Sequence, residues 1–312
     1  MSLRSSLLLF SCLSRTCSGL AASQPRRRRA PAPFLSSSAA SLLHTSSSAT
    51  VGSSGEPFAT AFELPVQHGL CIAVSLPDAT IASDTKNLAL PLDELHERER
   101  AAMQEMSAAR QVQYVGGRVA MRRALKSLGA ADAAAPVLRD DEGAPALLAN
   151  GAFGSISHTC GLAAAIACIP PEPSTASADP LAPRMSAVGI DVEHADRQLS
   201  PGVAKRCLHE DERRALGAAP SRGGRASAEW SSELLLRLSL KEALYKAIHP
   251  LVRATQPTIR WHSVQVQPAP DGACLIRLED LEEAAGLGLA AEARWELREG
   301  FYVTTARVER TK

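Results

Sequence analysis

From about residue 58 the chain alternates apolar runs of strand length with longer stretches of helical period. Cys71-Ile72-Ala73-Val74-Ser75-Leu76 reads as the first strand, closed by the turn pair Pro77-Asp78. Helical period follows over 94–128, interrupted near Ala108, and Gly129 stands where a C′ glycine ends a helix. Within it, Gly116-Gly117 costs about 1 kcal/mol per glycine against alanine, so a close backbone approach is expected there. A polar region at 139–151 leads to Phe153-Gly154-Ser155-Ile156-Ser157-His158 and an apolar run at 162–169 that reads as a buried strand. Further on, Val188-Gly189-Ile190-Asp191-Val192-Glu193 is a strand pattern whose period of two puts Asp191 and Glu193 on one face and Val192 on the other. An amphipathic stretch at 203–216 and a Gly/Arg/Ser loop at 220–227 precede a helix expected over 228–248, stopped by His249-Pro250. Strands are expected at 259–266, 274–278, 293–297 and 302–308.

The alternation predicts an α+β chain in two halves of similar plan, each with a long helix bearing polar residues and with apolar strands after it. No sequence identity between the halves is apparent. Five prolines fall in the fifteen residues 170–184, the composition of a linker or surface insertion. The expected organisation is therefore a leader at 1–57, an N-terminal half at 58–170, a connection at 171–187 and a C-terminal half at 188–312.

Composition changes the picture mainly at the N-terminus. Residues 1–55 hold six arginines and sixteen serines but no Asp or Glu. That is the signature of a mitochondrial or plastid transit peptide, so an organellar location is expected, with a cytoplasmic protein carrying a low-complexity tail as the alternative. The apolar run 6–13 is too short to span a membrane, and no later segment could. Overall the chain is 45% hydrophobic and 21% charged, ordinary for a globular protein. Its seven cysteines are scattered without a CxxC pair, which signals neither a zinc site nor a disulfide framework.

The candidate chemistry lies in a few polar positions. Asp191 and Glu193 repel one another on one strand face unless a hard cation sits between them, and Mg²⁺ takes one or two carboxylates together with water and phosphate oxygens. In Ser239-Leu240-Lys241-Glu242-Ala243-Leu244-Tyr245-Lys246, the i, i+4 spacing stacks Glu242 and Lys246 on one helix face. Each feature has a plain alternative: a solvated strand edge, a surface ion pair, a turn histidine at His158, solvated arginines along the first helix. Taken together, metal-type carboxylates, a phosphate-binding type of His and an Arg-bearing helix point to a phosphate-rich ligand.

In this order, Phe153 to His158, Gly189 to Glu193 and Lys241 to Lys246 resemble the 4′-phosphopantetheinyl transferases. The likeness is to the group of the surfactin-type enzyme and the enterobactin synthetase component, whose helix is similar to Arg110-Gln111-Val112-Gln113-Tyr114-Val115-Gly116-Gly117-Arg118. It covers roughly residues 90–250. The resemblance implies two α+β halves related by a pseudo-two-fold axis. It also implies that Asp191, Glu193 and Glu242 surround Mg²⁺, and that Glu242 takes a proton from a carrier-protein serine. Lys246 would steady the departing 3′,5′-ADP, and Arg110, Arg118, Ser157 and His158 would bind CoA. The implied partner is an acyl carrier protein or a carrier domain of a fatty acid, polyketide or peptide synthase, acted on by a monomer. Neither nucleic acid nor membrane is expected as a partner. Other Mg²⁺-dependent phosphohydrolases or nucleotidyl transferases use paired carboxylates too, and a degenerate relative that only binds CoA or a carrier is the non-enzymatic alternative. Two departures from the family stand out: Leu238 where it has an aromatic residue, and Glu142-Gly143-Ala144 before Pro145 where it has a basic one, which leaves Arg139 as the nearest cation.

Overall fold

Leu162-Ala163-Ala164-Ala165-Ile166-Ala167-Cys168 is buried at every position, and that fact organises the molecule. A strand apolar on both faces must be covered on both, and the small alanines let the covering elements come close. The computed structural model describes residues 56–67, 69–77, 90–130, 133–140, 151–169, 186–218 and 227–311. The leader, most of the proline-rich connection, the segment around Pro145 and the loop at 219–226 lie outside them.

The first half runs β1 (Thr60–Val66), β2 (Gly69–Ser75), α1 (Glu97–Met103), α2 (Ala108–Ser127), β3 (Phe153–Thr159) and β4 (Leu162–Cys168). The second begins β5 (Ser186–His194), α3 (Pro201–Cys207), α4 (Glu210–Leu216) and α5 (Ala228–Val252). It ends β6 (Gln265–Pro268), β7 (Cys274–Arg277), α6 (Glu279–Ala285), β8 (Leu289–Arg298) and β9 (Phe301–Arg310). One antiparallel sheet has the order β1-β2-β4-β3 and the other β5-β9-β8, with β6 and β7 as a separate hairpin. The order first strand, last strand, middle strand is thus shared by β2-β4-β3 and β5-β9-β8.

Three apolar layers hold the elements together. Ala163, Ala165 and Ala167 of β4 pack with Val115, Val119 and Met121 of α2, while Ala164, Ile166 and Cys168 face Val188, Ile190 and Val192 of β5. The third layer joins Leu240, Ala243, Leu244 and Ala247 of α5 to Ala293, Ala306 and Val308. The stacking is therefore helix, sheet, sheet, helix. The glycine pair expected to permit close approach does so: a Cβ on Gly117 would stand 2.6 Å from Ile156 Cγ2, and one on Gly116 3.0 Å from the Ala163 Cβ. Among the described residues no helix is long and apolar enough to cross a membrane.

The halves share more than their plan. Leu95-His96-Glu97-Arg98-Glu99-Arg100 and Leu208-His209-Glu210-Asp211-Glu212-Arg213 differ only at Arg98 and Asp211. Each opens a seven-residue helix with a capping box, in which the His side chain accepts a backbone N–H and the Glu side chain takes the N–H of that His. Both glutamates are buried, and each joins the long helix of its half to a backbone N–H beyond it. Glu99 accepts from Arg122 of α2 at 2.5 Å and from the Val137 N–H at 2.8 Å. Glu212 accepts from Lys241 of α5 at 2.6 Å and from the Val266 N–H at 2.9 Å. The cations also donate to loop carbonyls, Arg122 to Ala133 and Ala135, Lys241 to Cys207 and Trp261. This repeat corrects the expectation of no identity between the halves.

Other expectations change as well. Thr60–Val66 precedes the run read as the first strand. Its Pro65 argues against a strand, but β1 is a sheet edge, where a missing N–H is tolerated. Pro250 does not stop the long helix, which continues to Val252. Only one helical hydrogen bond is lost, near the end, and Leu251 and Val252 gain burial in the α5 core layer. The stretch 203–216 is two short helices. The strand expected at 259–266 is a 3₁₀ turn at Trp261–Ser263 followed by the short β6. α6 was unforeseen, although an acidic first turn and the left-handed Gly286 mark its ends.

Removing the cation from either buried pair leaves a carboxylate stranded in the core. Lys241→Met and Arg122→Met are each expected to cost about 3–5 kcal/mol, measured by urea unfolding, and a loss below about 1 kcal/mol would count against the two being one repeated device.

Candidate functional site

The polar residues singled out by the sequence meet where β3 of the first half crosses β5 of the second, under α5. Glycine at position 189 decides this. A Cβ there would collide with the carbonyl oxygen of Ala243 and lie 3.0 Å from the Ala247 nitrogen, so α5 rests on the β5 backbone itself. Two residues further along β5, Asp191 is reached by side chains from both neighbours.

Ser157 of β3 donates to Asp191 Oδ1 at 2.8 Å, and Lys246 of α5 donates to the same oxygen at 2.9 Å. The Lys246 ammonium also donates to the Ile190 carbonyl at 2.8 Å and to the Ser157 hydroxyl at 3.1 Å, which occupies its three protons. Ser239 donates to Asp191 Oδ2 at 2.8 Å. Asp191, only 3% exposed, is thus held on both oxygens.

Glu193 is buried beside it. Its Oε1 is paired with Arg197, whereas Oε2 is buried without a hydrogen-bond partner. Glu242 is largely buried and makes no hydrogen bond among the described residues. Burial, and then the charge of Asp191, pushes the Glu193 carboxyl up to about 7 and that of Glu242 up to about 8. The three carboxylates therefore feel one another. They are not drawn into a finished cage: among the described residues no three acidic, His or Cys groups stand at metal-binding geometry. Their chemistry fits a hard divalent cation, since an orphaned Glu193 oxygen and mutual repulsion are both relieved by one.

A cationic region lies on the other side of Ser157. Arg110 of α2 donates to His158 at 2.6 Å and to Gln113 at 3.2 Å. A guanidinium has no lone pair to offer, so His158 Nε2 accepts and the imidazole is neutral in this contact. Burial first, then the charges of Arg110, Lys246 and Arg139, drive the His158 pKa down to about 3. Arg118, 3% exposed, stacks over the Tyr114 ring with Cζ 3.7 Å from the centroid and leaves Nε unpaired. Burial, with the charge of Arg139 next, lowers Arg110 to about 10, and burial also lowers Arg118 to about 10. The Arg139 guanidinium is lowered in the same direction by partial burial. Arg110, Arg118 and Arg139 make no ion pair with a carboxylate among the described residues. The geometry brings together Ser157, Asp191 and Lys246, sets Glu193 and Glu242 against them, and separately joins Arg110 to His158.

Four residues of this region were not assigned from sequence. Arg139 was noted only as the nearest cation. Arg197 has a readable signal, its spacing of four from Glu193. Ser239 opens the 239–246 segment but resembles any helix serine, and Thr304, the cross-strand partner of Asp191 on β9 with its Oγ1 2.9 Å from the Ser239 hydroxyl, carries no signal at all.

Family profiles match both halves: the 4′-phosphopantetheinyl transferase N-terminal domain over residues 98–168, and the 4′-phosphopantetheinyl transferase superfamily over residues 187–306. Together they take in more than half of the chain. Among solved structures, the Chronobacterium ammoniagenes ACPS–CoA complex is 17% identical, covering 41% of this chain and 100% of that one with a TM-score of 0.30. Holo-[acyl-carrier-protein] synthase of Helicobacter pylori in complex with coenzyme A is 19% identical, covering 40% of this chain and 99% of that one with a TM-score of 0.27. No curated relative matches the chain.

The shifted groups set a pH window. Glu193 and Glu242, raised from 4.5, keep protons in the folded state that the unfolded chain has lost, so their contribution to stability disappears as pH rises through about 7 and about 8. His158, depressed from 6.5 to about 3, acts oppositely, and its contribution is complete above 6.5. Between pH 6.5 and 8 only the carboxylate effect remains. The melting temperature of the metal-free protein is expected to fall across that interval, and Glu242→Gln to flatten the fall. An unchanged slope in Glu242→Gln would show that Glu242 is not the group under strain.

Proposed function

Because the chain belongs to the 4′-phosphopantetheinyl transferase superfamily, we propose that it moves the phosphopantetheine arm of CoA onto a serine of a carrier protein, releasing 3′,5′-ADP. The observation that carries the reading is the division of charge about Ser157. Guanidiniums with no carboxylate partner among the described residues lie on one side and crowded carboxylates on the other, which suits a long polyphosphate substrate with a cation at its reacting end. Two α+β halves within one chain support a place in the surfactin-type group. The partner in this reading is an acyl carrier protein or a carrier domain of a fatty acid, polyketide or peptide synthase.

Arg110, Arg118 and Arg139 bind the phosphate-bearing nucleotide end of CoA, and His158 holds the Arg110 guanidinium in place by accepting its hydrogen bond. Asp191, Glu193 and Glu242 would hold Mg²⁺, which when bound neutralises charge on the pyrophosphate oxygens. Glu242 accepts the proton of the carrier serine hydroxyl. The serine oxygen bonds to the phosphorus carrying the pantetheine, and the bond from that phosphorus to the 3′,5′-ADP oxygen breaks. Lys246 exchanges one of its three present acceptors for an oxygen of the departing group and balances its charge.

Incubating the full chain with Mg²⁺, CoA and an apo-carrier protein is expected to add the phosphopantetheine mass to the carrier. Asp191→Asn is expected to lose activity by about 10²-fold or more while keeping the far-UV circular dichroism of the wild type. Release of inorganic phosphate without carrier modification would instead indicate a phosphohydrolase, and binding without either product a non-catalytic relative.

The anion side has a separate readout. His158→Ala is expected to weaken turnover of CoA more than that of 3′-dephospho-CoA, because the loss acts on the Arg110 contact with the 3′-phosphate. Equal losses of kcat/KM for the two donors would remove His158 and Arg110 from 3′-phosphate recognition.

A further inference from the structure

Two hydroxyl groups behind Asp191 are buried more deeply than the site itself. Ser239 and Thr304 are 0% exposed, Ser239 between the buried Leu238 and Leu240 and Thr304 beside the buried Val303. A buried hydroxyl without a partner costs about 1–3 kcal/mol, so at these positions both need a reason to be polar. Their bonds supply one. Ser239 spends its only proton on Asp191 Oδ2 at 2.8 Å. Its oxygen lies 2.9 Å from Thr304 Oγ1, and since the Ser239 proton is committed, any hydrogen bond between the two must be donated by Thr304. Thr304 Oγ1 also stands 3.0 Å from the Ser239 carbonyl and 3.3 Å from that of Asp191, and Thr304 is the cross-strand partner of Asp191 in β5–β9 pairing.

On the other carboxylate oxygen, Ser157 and Lys246 pull together, and Lys246 brings a full charge. Without an opposing donor the carboxylate is free to turn about its Cβ–Cγ bond toward the ammonium. Ser239 is that opposing donor, and Thr304 braces it, its single proton shared among the Ser239 hydroxyl at 2.9 Å, the Ser239 carbonyl at 3.0 Å and the Asp191 carbonyl at 3.3 Å.

We propose that Ser239 and Thr304 are positioning residues of the cation site, holding the Asp191 carboxylate plane against the pull of Lys246 so that it can share a divalent ion with Glu193 and Glu242. The inference rests on the Mg²⁺ reading above. Neither residue touches the ion or the substrate in this scheme; both act through Asp191, as partners behind metal ligands commonly do.

Mn²⁺ serves as the probe, because its free-ion paramagnetic resonance signal disappears on binding. Titrated in the presence of CoA, the wild type is expected to take up one Mn²⁺, and Ser239→Ala to bind it about 10-fold or more weakly. Thr304→Val, which keeps the shape and removes the hydroxyl, is expected to weaken binding, whereas Thr304→Ser is expected to restore most of it. Ser239→Ala/Thr304→Val should be no weaker than Ser239→Ala alone if Thr304 acts through Ser239. Melting temperatures measured alongside separate loss of fold from loss of the ion. Wild-type affinity in Ser239→Ala, or equal losses in Thr304→Val and Thr304→Ser, would overturn the inference while leaving the metal reading in place. A wild type that binds no Mn²⁺ would overturn both.

Discussion

The contact on which the site depends is between backbones: α5 lies on β5 at Gly189, with no side chain between them. A helix normally stands off a sheet by the depth of the side chains it packs on. Here glycine on the strand and Ala243 and Ala247 on the helix remove that spacing, so that short side chains such as Ser239 can reach Asp191 and Lys246 can reach the Ile190 carbonyl. Alanine at 189 would push α5 away, and every hydrogen bond from that helix to Asp191 would lengthen together. The first half obeys a similar constraint, with Gly116 and Gly117 lowering α2 onto Ala163 and Ile156.

Close packing also explains the electrostatic character of the site. Guanidiniums and carboxylates taken out of water lose hydration, and charges of one sign placed together add repulsion, so both clusters work against folding. Two other buried ion pairs are built differently. Glu99 with Arg122 and Glu212 with Lys241 are buried, matched in charge and supplied with backbone donors and carbonyl acceptors. Buried charge is thus matched within each half and left unbalanced where the halves meet.

Much of this was legible in the chain. Alternation in 188–193 put Asp191 and Glu193 on one face, and the glycine pair in α2 announced a close approach whose partners only the fold could name. The family resemblance named Ser157, Asp191 and Lys246 but gave them separate roles, and only the fold joins them by hydrogen bonds. Other features were not legible, for identifiable reasons. The Leu-His-Glu-x-Glu-Arg repeat is six residues long and its surroundings have diverged, so it emerges only when the two capping boxes are seen doing the same work. Pro250 misled because helix-breaking is a local rule, overridden by burial of the two residues beyond it. Thr304 could not have been found, since a threonine in a strand is ordinary until its cross-strand neighbour proves to be a charged carboxylate.

The repeated capping-box glutamates bear on how the molecule is assembled. Each draws its partners from its own half, so either half can condense around its long helix using contacts of modest sequence separation. The site is different: Ser157 comes from one half, Asp191 and Lys246 from the other, and their meeting is a long-range event that waits for both. In the reading proposed above, catalysis would belong to the docked pair alone. A chain interrupted between the halves would leave one face of β4 without the β5 residues that cover it and would divide the candidate site between the pieces.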